Sequence, residues 1–213
     1  MIKAIIFDLW GTTLYSSGDF GRKAIDLLGI RHSDEKKFWD ALERHWMKRR
    51  FESVEQAAEH AITRTFKIHD KEKIGQFALL YMEDRKFVKP FDDVFPVIRR
   101  LKKKYKIGLL SNTDCFTAPI LQKIGFLDLF DVALLSCDHN KLKPDKSLFR
   151  RMLKELGAKP EEAVMIGDTI HADIIPAREL GMKTVFIDRR NKHPKIKRKI
   201  KDFKRLEKIL EGM

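Results

Sequence analysis

Four short segments of this chain carry side chains that could do chemistry together. Asp8 opens Asp8-Leu9-Trp10-Gly11-Thr12, and Ser111 opens Ser111-Asn112-Thr113-Asp114. Lys143 stands in Lys143-Pro144-Asp145, and Gly167-Asp168-Thr169 is followed by Asp173, five residues after Asp168. An aspartate can attack an electrophile, while a serine hydroxyl and a lysine ammonium can hold developing negative charge. Further carboxylates suit a hard cation. Each piece alone is weak: a lone Asp after a strand is often a turn or cap residue, and a single Lys-Pro is usually solvated. The ordered set is a specific signal.

The elements that must position these segments are legible around them. Short apolar runs recur at Lys3–Phe7, Lys106–Leu110, Val132–Leu135, Ala163–Ile166 and Lys183–Ile187. Runs of this length without alternation suit strands buried on both faces. Between them lie segments with helical spacing. Asp92–Lys104 places Val94, Val97, Ile98 and Leu101 on one face, and Phe116–Gly125, Ser147–Gly157 and Ala172–Gly181 each end at a glycine. Strand alternating with helix predicts an α/β fold with a parallel sheet. Ligands of such sheets bind beyond the carboxyl ends of the strands, where the four segments fall.

Tyr15 to Lys89 reads differently, with several amphipathic segments and no convincing strand. Ser33 before Asp34 and Glu35 marks a helix start, followed by Phe38, Trp39, Leu42 and Trp46 at helical spacing. Ser53-Val54-Glu55-Gln56 has the pattern of a capping box, and Lys71 to Phe87 carries Ile74, Phe77, Ala78 and Tyr81 on one stripe. The expected organisation is a core of residues 1–14 and 90–213, with residues 15–89 as a helical insertion whose aromatic residues serve packing, unless an edge of the insertion faces the site and lends one to a substrate.

With these motifs in order, the chain resembles the haloacid dehalogenase superfamily, most of whose members are phosphatases with a helical cap inserted after the first motif. FDLWGTTL looks like motif one, LLSN like motif two, LKPDKSLF like motif three, and IGDTIHAD with AREL-GM like motif four. The resemblance covers essentially the whole chain and implies a Rossmann-like core with a helical cap. It implies Asp8 as the nucleophile, forming an aspartyl-phosphate that water hydrolyses, with Ser111 and Lys143 holding the transferring group. Thr12, Asn112 and Trp10 would line the substrate. Asp8, Asp168, Asp173 and the main-chain carbonyl of Trp10 would organise Mg²⁺. The implied substrate is a small phosphorylated metabolite.

The departure from the family pattern is Trp10. Superfamily phosphatases usually carry a second Asp two residues after the nucleophile, which protonates the leaving group and later activates water. An indole does neither, and acid–base groups contribute about 10²–10⁴-fold. Asp114 and His171 lie near the motifs as possible substitutes. A 2-haloacid dehalogenase is the alternative, since that branch has an aromatic residue where Trp10 stands. It works without metal, however, and has lost the carboxylate at the Asp168 position. Its cap arginine has no unambiguous match here; Arg22 and Arg44 qualify only by region. A degenerate phospho-ligand-binding member is the third reading. Three clustered carboxylates without a cation would repel one another, so phosphate chemistry is favoured.

Composition excludes other classes. The 213 residues are 43% hydrophobic and 35% charged, enough for a substantial core. Two cysteines make no disulfide scaffold, which suits a reducing cytosol, and no apolar run approaches a membrane span. The net charge is +13, but Arg189–Arg205 holds ten basic residues and one acidic residue, and so supplies most of it. That stretch is expected to be a solvated connection, with Asp202 capping a closing helix that packs Phe203, Leu206, Ile209 and Leu210. Binding of nucleic acid there is the weaker reading, because no aromatic residue interleaves Arg189–Lys201.

Overall fold

The computed structural model describes residues 1–196 and 199–213; Lys197 and Arg198 of the basic stretch lie outside the described residues. In chain order the elements are β1 (Ala4–Phe7), β2 (Leu14–Ser16), α1 (Phe20–Leu28), α2 (Glu35–His45), α3 (Val54–Phe66), α4 (Lys71–Asp84) and β3 (Val88–Pro90). They continue with α5 (Val94–Leu101), β4 (Lys106–Ser111), α6 (Thr117–Lys123), β5 (Val132–Leu135), α7 (Lys146–Leu156), β6 (Ala163–Gly167), α8 (Ile175–Glu179), β7 (Lys183–Phe186) and α9 (Leu206–Glu211).

β1, β4, β5, β6 and β7 form a parallel sheet in the order β5-β4-β1-β6-β7. Successive side chains of a strand point to opposite faces, and two separate cores result. Ile5, Phe7, Ile107, Leu109, Val164 and Ile166 pack on one side with residues of α5 and α9. Ala4, Ile6, Leu110 and Met165 pack on the other with α7. The chain runs from β1 outward through β4 to β5, then returns to the other side of β1 for β6 and β7. The carboxyl end of β1 is therefore the switch point of the sheet, and Asp8 follows it directly.

The helices α1 to α4 enclose an apolar cluster of their own, with Phe20, Phe38, Trp46, Phe77 and Tyr81 at its centre. Ser53 caps α3 by accepting from Gln56 N at 3.1 Å, but Gln56 Oε1 accepts in return from Glu52 N instead of Ser53 N. Asp70 caps α4, accepting from Glu72 N and Lys73 N. The expected helix to Phe87 ends earlier, at Asp84, and Arg85–Phe87 form a single tighter turn.

One expectation is corrected here. Tyr15 to Lys89 is not free of strands, because β2 and β3 pair antiparallel, with Leu14 opposite Pro90 and Ser16 opposite Val88. At three residues each, these strands are too short for a sequence period to register. They form the two-chain neck through which the helical layer leaves and rejoins the core.

The carboxyl-terminal segment is also corrected. α9 begins at Leu206, after Arg205, and Asp202 instead accepts from Lys204 N in the preceding turn. Phe203, Leu206 and Leu210 are buried, as the pattern requires, and Phe203 packs on Phe7 at 5.3 Å between ring centroids. Arg189 is not solvated. Its Nε donates to Thr12 O at 2.7 Å, its guanidinium pairs with Asp93 at 3.0 Å, and it lies over Phe91 and Phe203 at 4.0 and 4.6 Å. Removing one partner of a buried ion pair leaves the other charged and unmatched, at a cost of about 3–5 kcal/mol. Arg189→Ala is expected to lose stability of that order in chemical denaturation, whereas Arg190→Ala stays within about 0.5 kcal/mol of wild type.

Candidate active site

Asp8 and Asp168 follow β1 and β6 directly, Lys143 lies in the loop before α7, and Asp173 stands on the turn that leads into α8. β1 releases Asp8, and Thr13 Oγ1 fastens the following turn by donating to Asp8 O at 2.9 Å. Gly11 takes a left-handed φ of +75° there, and a Cβ on it would come 2.2 Å from Asp168 Oδ2. Glycine is thus required twice, for the turn and for the approach of Asp168.

Lys143 is the centre of the arrangement. Its Nζ donates to Asp8 Oδ1 and to Asp173 Oδ1, both at 2.6 Å, with the ammonium 3% exposed. Asn112 clamps the backbone beneath it: Oδ1 accepts from Lys143 N at 2.7 Å, and Nδ2 donates to Lys143 O at 3.1 Å. Both ends of the Asn112 amide therefore position Lys143. Asp173 stands on a π-helical turn, Ile170–Ile174, a wider coil often found at functional sites. Its Oδ2 accepts from Thr169 N at 3.0 Å, and it packs against Gly167, where a Cβ would meet the carboxylate at 2.3 Å.

Asp8, Asp168 and Asp173 each offer an oxygen within 4.8 Å of the others. Burial pushes the Asp168 carboxyl up to about 6, and the charge of Asp8 adds to the effect. Burial also raises Asp173, against the pull of Lys143. Burial opposes the charge on Lys143, but Asp173 and Asp8 together outweigh it and hold the ammonium's pKa well above its ordinary value. One ammonium faces three carboxylates, so the cluster has an excess of buried negative charge. An all-oxygen donor set with that excess fits a hard divalent cation.

The sequence-derived residues divide in this geometry. Asp8, Trp10, Asn112, Lys143 and Asp168 line a cavity of about 600 Å³ between the sheet edge and the helical layer. Asp173 is fully buried behind Lys143. Ser111 is 1% exposed and its hydroxyl donates to Asn112 O at 3.3 Å; Thr12 is 0% exposed, and its carbonyl receives Arg189. Neither Ser111 nor Thr12 lines the cavity. The Trp10 indole N–H donates to Thr113 Oγ1 at 3.1 Å, and the Arg85 guanidinium lies 5.0 Å from the ring. Asp114 is spent on the start of α6, accepting from Phe116 N and Thr117 N, and from the Thr117 hydroxyl. Arg22 and Arg44 are exposed and lie outside the cavity wall.

A model of the haloacid dehalogenase-like hydrolases matches residues 2–181. This chain belongs to that family. The glyceraldehyde 3-phosphate phosphatase of Methanopyrus kandleri is 30% identical over 200 residues, covering 89% of this chain and 85% of that protein. Pyrophosphatase PpaX of Bacillus cereus is 32% identical over 130 residues, which is 58% of this chain and only 60% of PpaX. A HAD phosphatase from Thermococcus onnurineus has a similar structure, with a TM-score of 0.68 at 26% identity over 99% of both chains. The chain is thus a hydrolase, with phosphatase favoured over dehalogenase. No helix among the described residues is long and apolar enough to cross a membrane.

Several cavity residues of this hydrolase escaped the sequence reading. Trp39 and Glu43 of α2, and Met47 just beyond it, line the cavity at four-residue spacing, one position on from the buried Phe38 and Leu42. Trp39 touches the packing stripe through Phe20 and Phe38 yet is 39% exposed, while Trp46 is buried. The i, i+4, i+8 spacing was the available signal for Glu43. Arg85 had none, because its place depends on the turn that ends α4.

Asp168 supplies a direct test of the charge excess. A carboxyl that holds its proton more tightly when folded destabilises the fold once ionised. The metal-free protein should therefore lose stability as pH rises from about 4 through about 6. In chelator at neutral pH, Asp168→Asn is expected to unfold with about 1–2 kcal/mol more stability than wild type, after allowance for screening. The gain should vanish by about pH 4. A variant no more stable than wild type at neutral pH would remove the claim of uncompensated charge.

Proposed function

We propose that this hydrolase is a Mg²⁺-dependent phosphatase of small phosphorylated metabolites, acting through an aspartyl-phosphate on Asp8. The observation that carries this reading is the trio Asp8, Asp168 and Asp173 with the single ammonium of Lys143 at the floor of the cavity. Asp168 is the discriminating member, because a metal-free dehalogenase has no use for its charge. The helical layer α1–α4 acts as the cap, closing residues 15–89 over the core.

Asp8, held by Lys143 through Oδ1, attacks the phosphorus with its carboxylate in line with the departing oxygen. Lys143 stabilises charge on the transferring group, and Asp173 fixes the direction in which its ammonium points. Ser111 belongs to the same strand end and shapes the loop that carries Asn112. Mg²⁺ held by Asp8, Asp168, Asp173 and the Trp10 carbonyl would neutralise repulsion between the carboxylate nucleophile and the anionic phosphate. Water then hydrolyses the aspartyl-phosphate and returns Asp8.

The relatives named as phosphatases of glyceraldehyde 3-phosphate and of pyrophosphate support a small phosphorylated substrate. The cavity suits one, with the Arg85, Arg190 and Lys192 side chains in its walls. A panel of alkyl, aryl and acyl phosphates, run with and without Mg²⁺, is expected to show turnover only with the metal. Asp8→Asn should reduce kcat by about 10³-fold or more, the scale of losing an activated nucleophile. Chloride released from 2-chloropropionate in chelator, with no phosphate released from any ester, would replace this reading with dehalogenation.

A further inference from the structure

A phosphatase of alkyl esters with Trp10 at the usual acid position must obtain a proton for its leaving group elsewhere, and Trp10 cannot supply it. Its single N–H is directed to Thr113 Oγ1. In-line attack by Asp8 drives the leaving oxygen away from the sheet edge, into the part of the cavity roofed by the helical layer. The source must therefore face the cavity from that layer or from its rim.

Most carboxylates there are already committed. Asp84 accepts from Ser16 Oγ at 2.9 Å, and Asp114 is occupied at the start of α6. Asp188 accepts from Lys192 N, His193 N and Lys199 Nζ. Glu43 is different. It projects from α2 into the cavity that Asp8 and Lys143 line from below, and its side chain keeps solvent access. Just beyond α2, the chain is tied to the core: Ser136 Oγ donates to Met47 O at 2.6 Å, and Arg50 pairs with Asp138 at 2.6 Å. These ties hold the Glu43 face of α2 over the reacting edge.

We propose that Glu43 is the general acid–base of this hydrolase, delivered from the helical layer in place of the aspartate that Trp10 displaces. The proposal rests on the phosphatase reading above. In the first step, a bond forms between Asp8 and phosphorus as the bond to the leaving oxygen breaks. The electron pair goes to that oxygen, which takes the Glu43 proton and departs as the alcohol. In the second step, water attacks phosphorus and gives its proton to the Glu43 carboxylate. The Asp8–phosphorus bond then breaks, its electron pair returns to Asp8, and phosphate leaves with Glu43 again protonated.

The surroundings suit an acid. Burial raises the Glu43 carboxyl above its ordinary value; Lys143 and His171 pull it down, while Asp40 on its own helix and Asp8 push it up. His171 faces Glu43 across the cavity from the π-helical turn of the core.

The test compares wild type, Glu43→Gln, Glu43→Asp and Asp8→Asn, all with Mg²⁺, on glycerol phosphate and on 4-nitrophenyl phosphate. The alkoxide of glycerol needs a proton to leave, whereas nitrophenolate does not. Glu43→Gln is expected to lower kcat on glycerol phosphate by about 10²–10⁴-fold. Its first turnover on the aryl ester should stay near the wild-type rate and appear as a burst equal to the enzyme present, because the second step lacks its base. Glu43→Asp should recover part of the loss. The alkaline fall of wild-type kcat/KM on glycerol phosphate should be absent in Glu43→Gln. Full alkyl activity in Glu43→Gln, or an equal loss on both esters with no burst, would overturn the role of Glu43 and leave the phosphatase reading standing. Wild type inactive on both esters would overturn both.

Discussion

The ammonium of Lys143, out of water and 2.6 Å from a carboxylate on each side, constrains everything around it. A buried charge is tolerated only where its partners are placed with precision, since breaking such a pair costs several kcal/mol. Local backbone features at the carboxyl edge serve this requirement. Asn112 grips the Lys143 backbone with both ends of its amide, Thr169 N fixes the far oxygen of Asp173, and Gly167 leaves space that any side chain would take. The π-helical turn at Ile170–Ile174 carries Asp173 to full burial beside Lys143.

That constraint also sets the character of the site. Asp8 and Asp173 already outnumber the one ammonium of Lys143, and Asp168 adds a third carboxylate in a position where burial resists ionisation. The edge of the sheet is therefore built at an electrostatic cost in the metal-free protein. Function accounts for such a cost better than stability does, because apolar side chains of similar size would fold at least as well. Among the described residues the helical layer holds no comparable cluster of carboxylates. Its aromatic cluster around Phe77 is an apolar core, and its contribution to the site comes from the start of α1, from Trp39 and Glu43 of α2 and from the turn at Arg85.

The central sheet was legible because its strands are buried on both faces and announce themselves as continuous apolar runs, with Asp8, Ser111 and Asp168 at their ends. Asp8, Lys143, Asp168 and Asp173 do converge. What escaped the sequence depends on long-range geometry. The strands β2 and β3 are three residues each and pair across seventy-odd residues of chain, so no local period marks them. Trp39 and Trp46 look equivalent on a helical wheel drawn for one apolar face, but α2 has a core on one side and a cavity on the other. Arg189 looks like one more solvated cation in a basic run; only its place after β7 brings it under Thr12 and between Phe91 and Phe203.

That basic run shows how charge is redistributed by folding. Arg189 is consumed by Asp93, and Lys199 by Asp188. Asp188 also accepts from the backbone of Lys192 and His193, which curls the loop back over the sheet edge. Arg190 and Lys192 thereby enter the cavity wall, and the charge of Lys192 already acts to lower the Asp168 pKa. A nucleic-acid surface needs cations spread along an accessible face with stacking partners between them. Here the cations nearest the site are gathered on a curled loop beside a carboxylate cluster, where they offset its repulsion of an approaching phosphate. Positive charge focused at the mouth of such a cleft raises the local concentration of small anions. Arg190 and Lys192 of the run thus stand beside the carboxylate cluster instead of along a face of evenly spread cations.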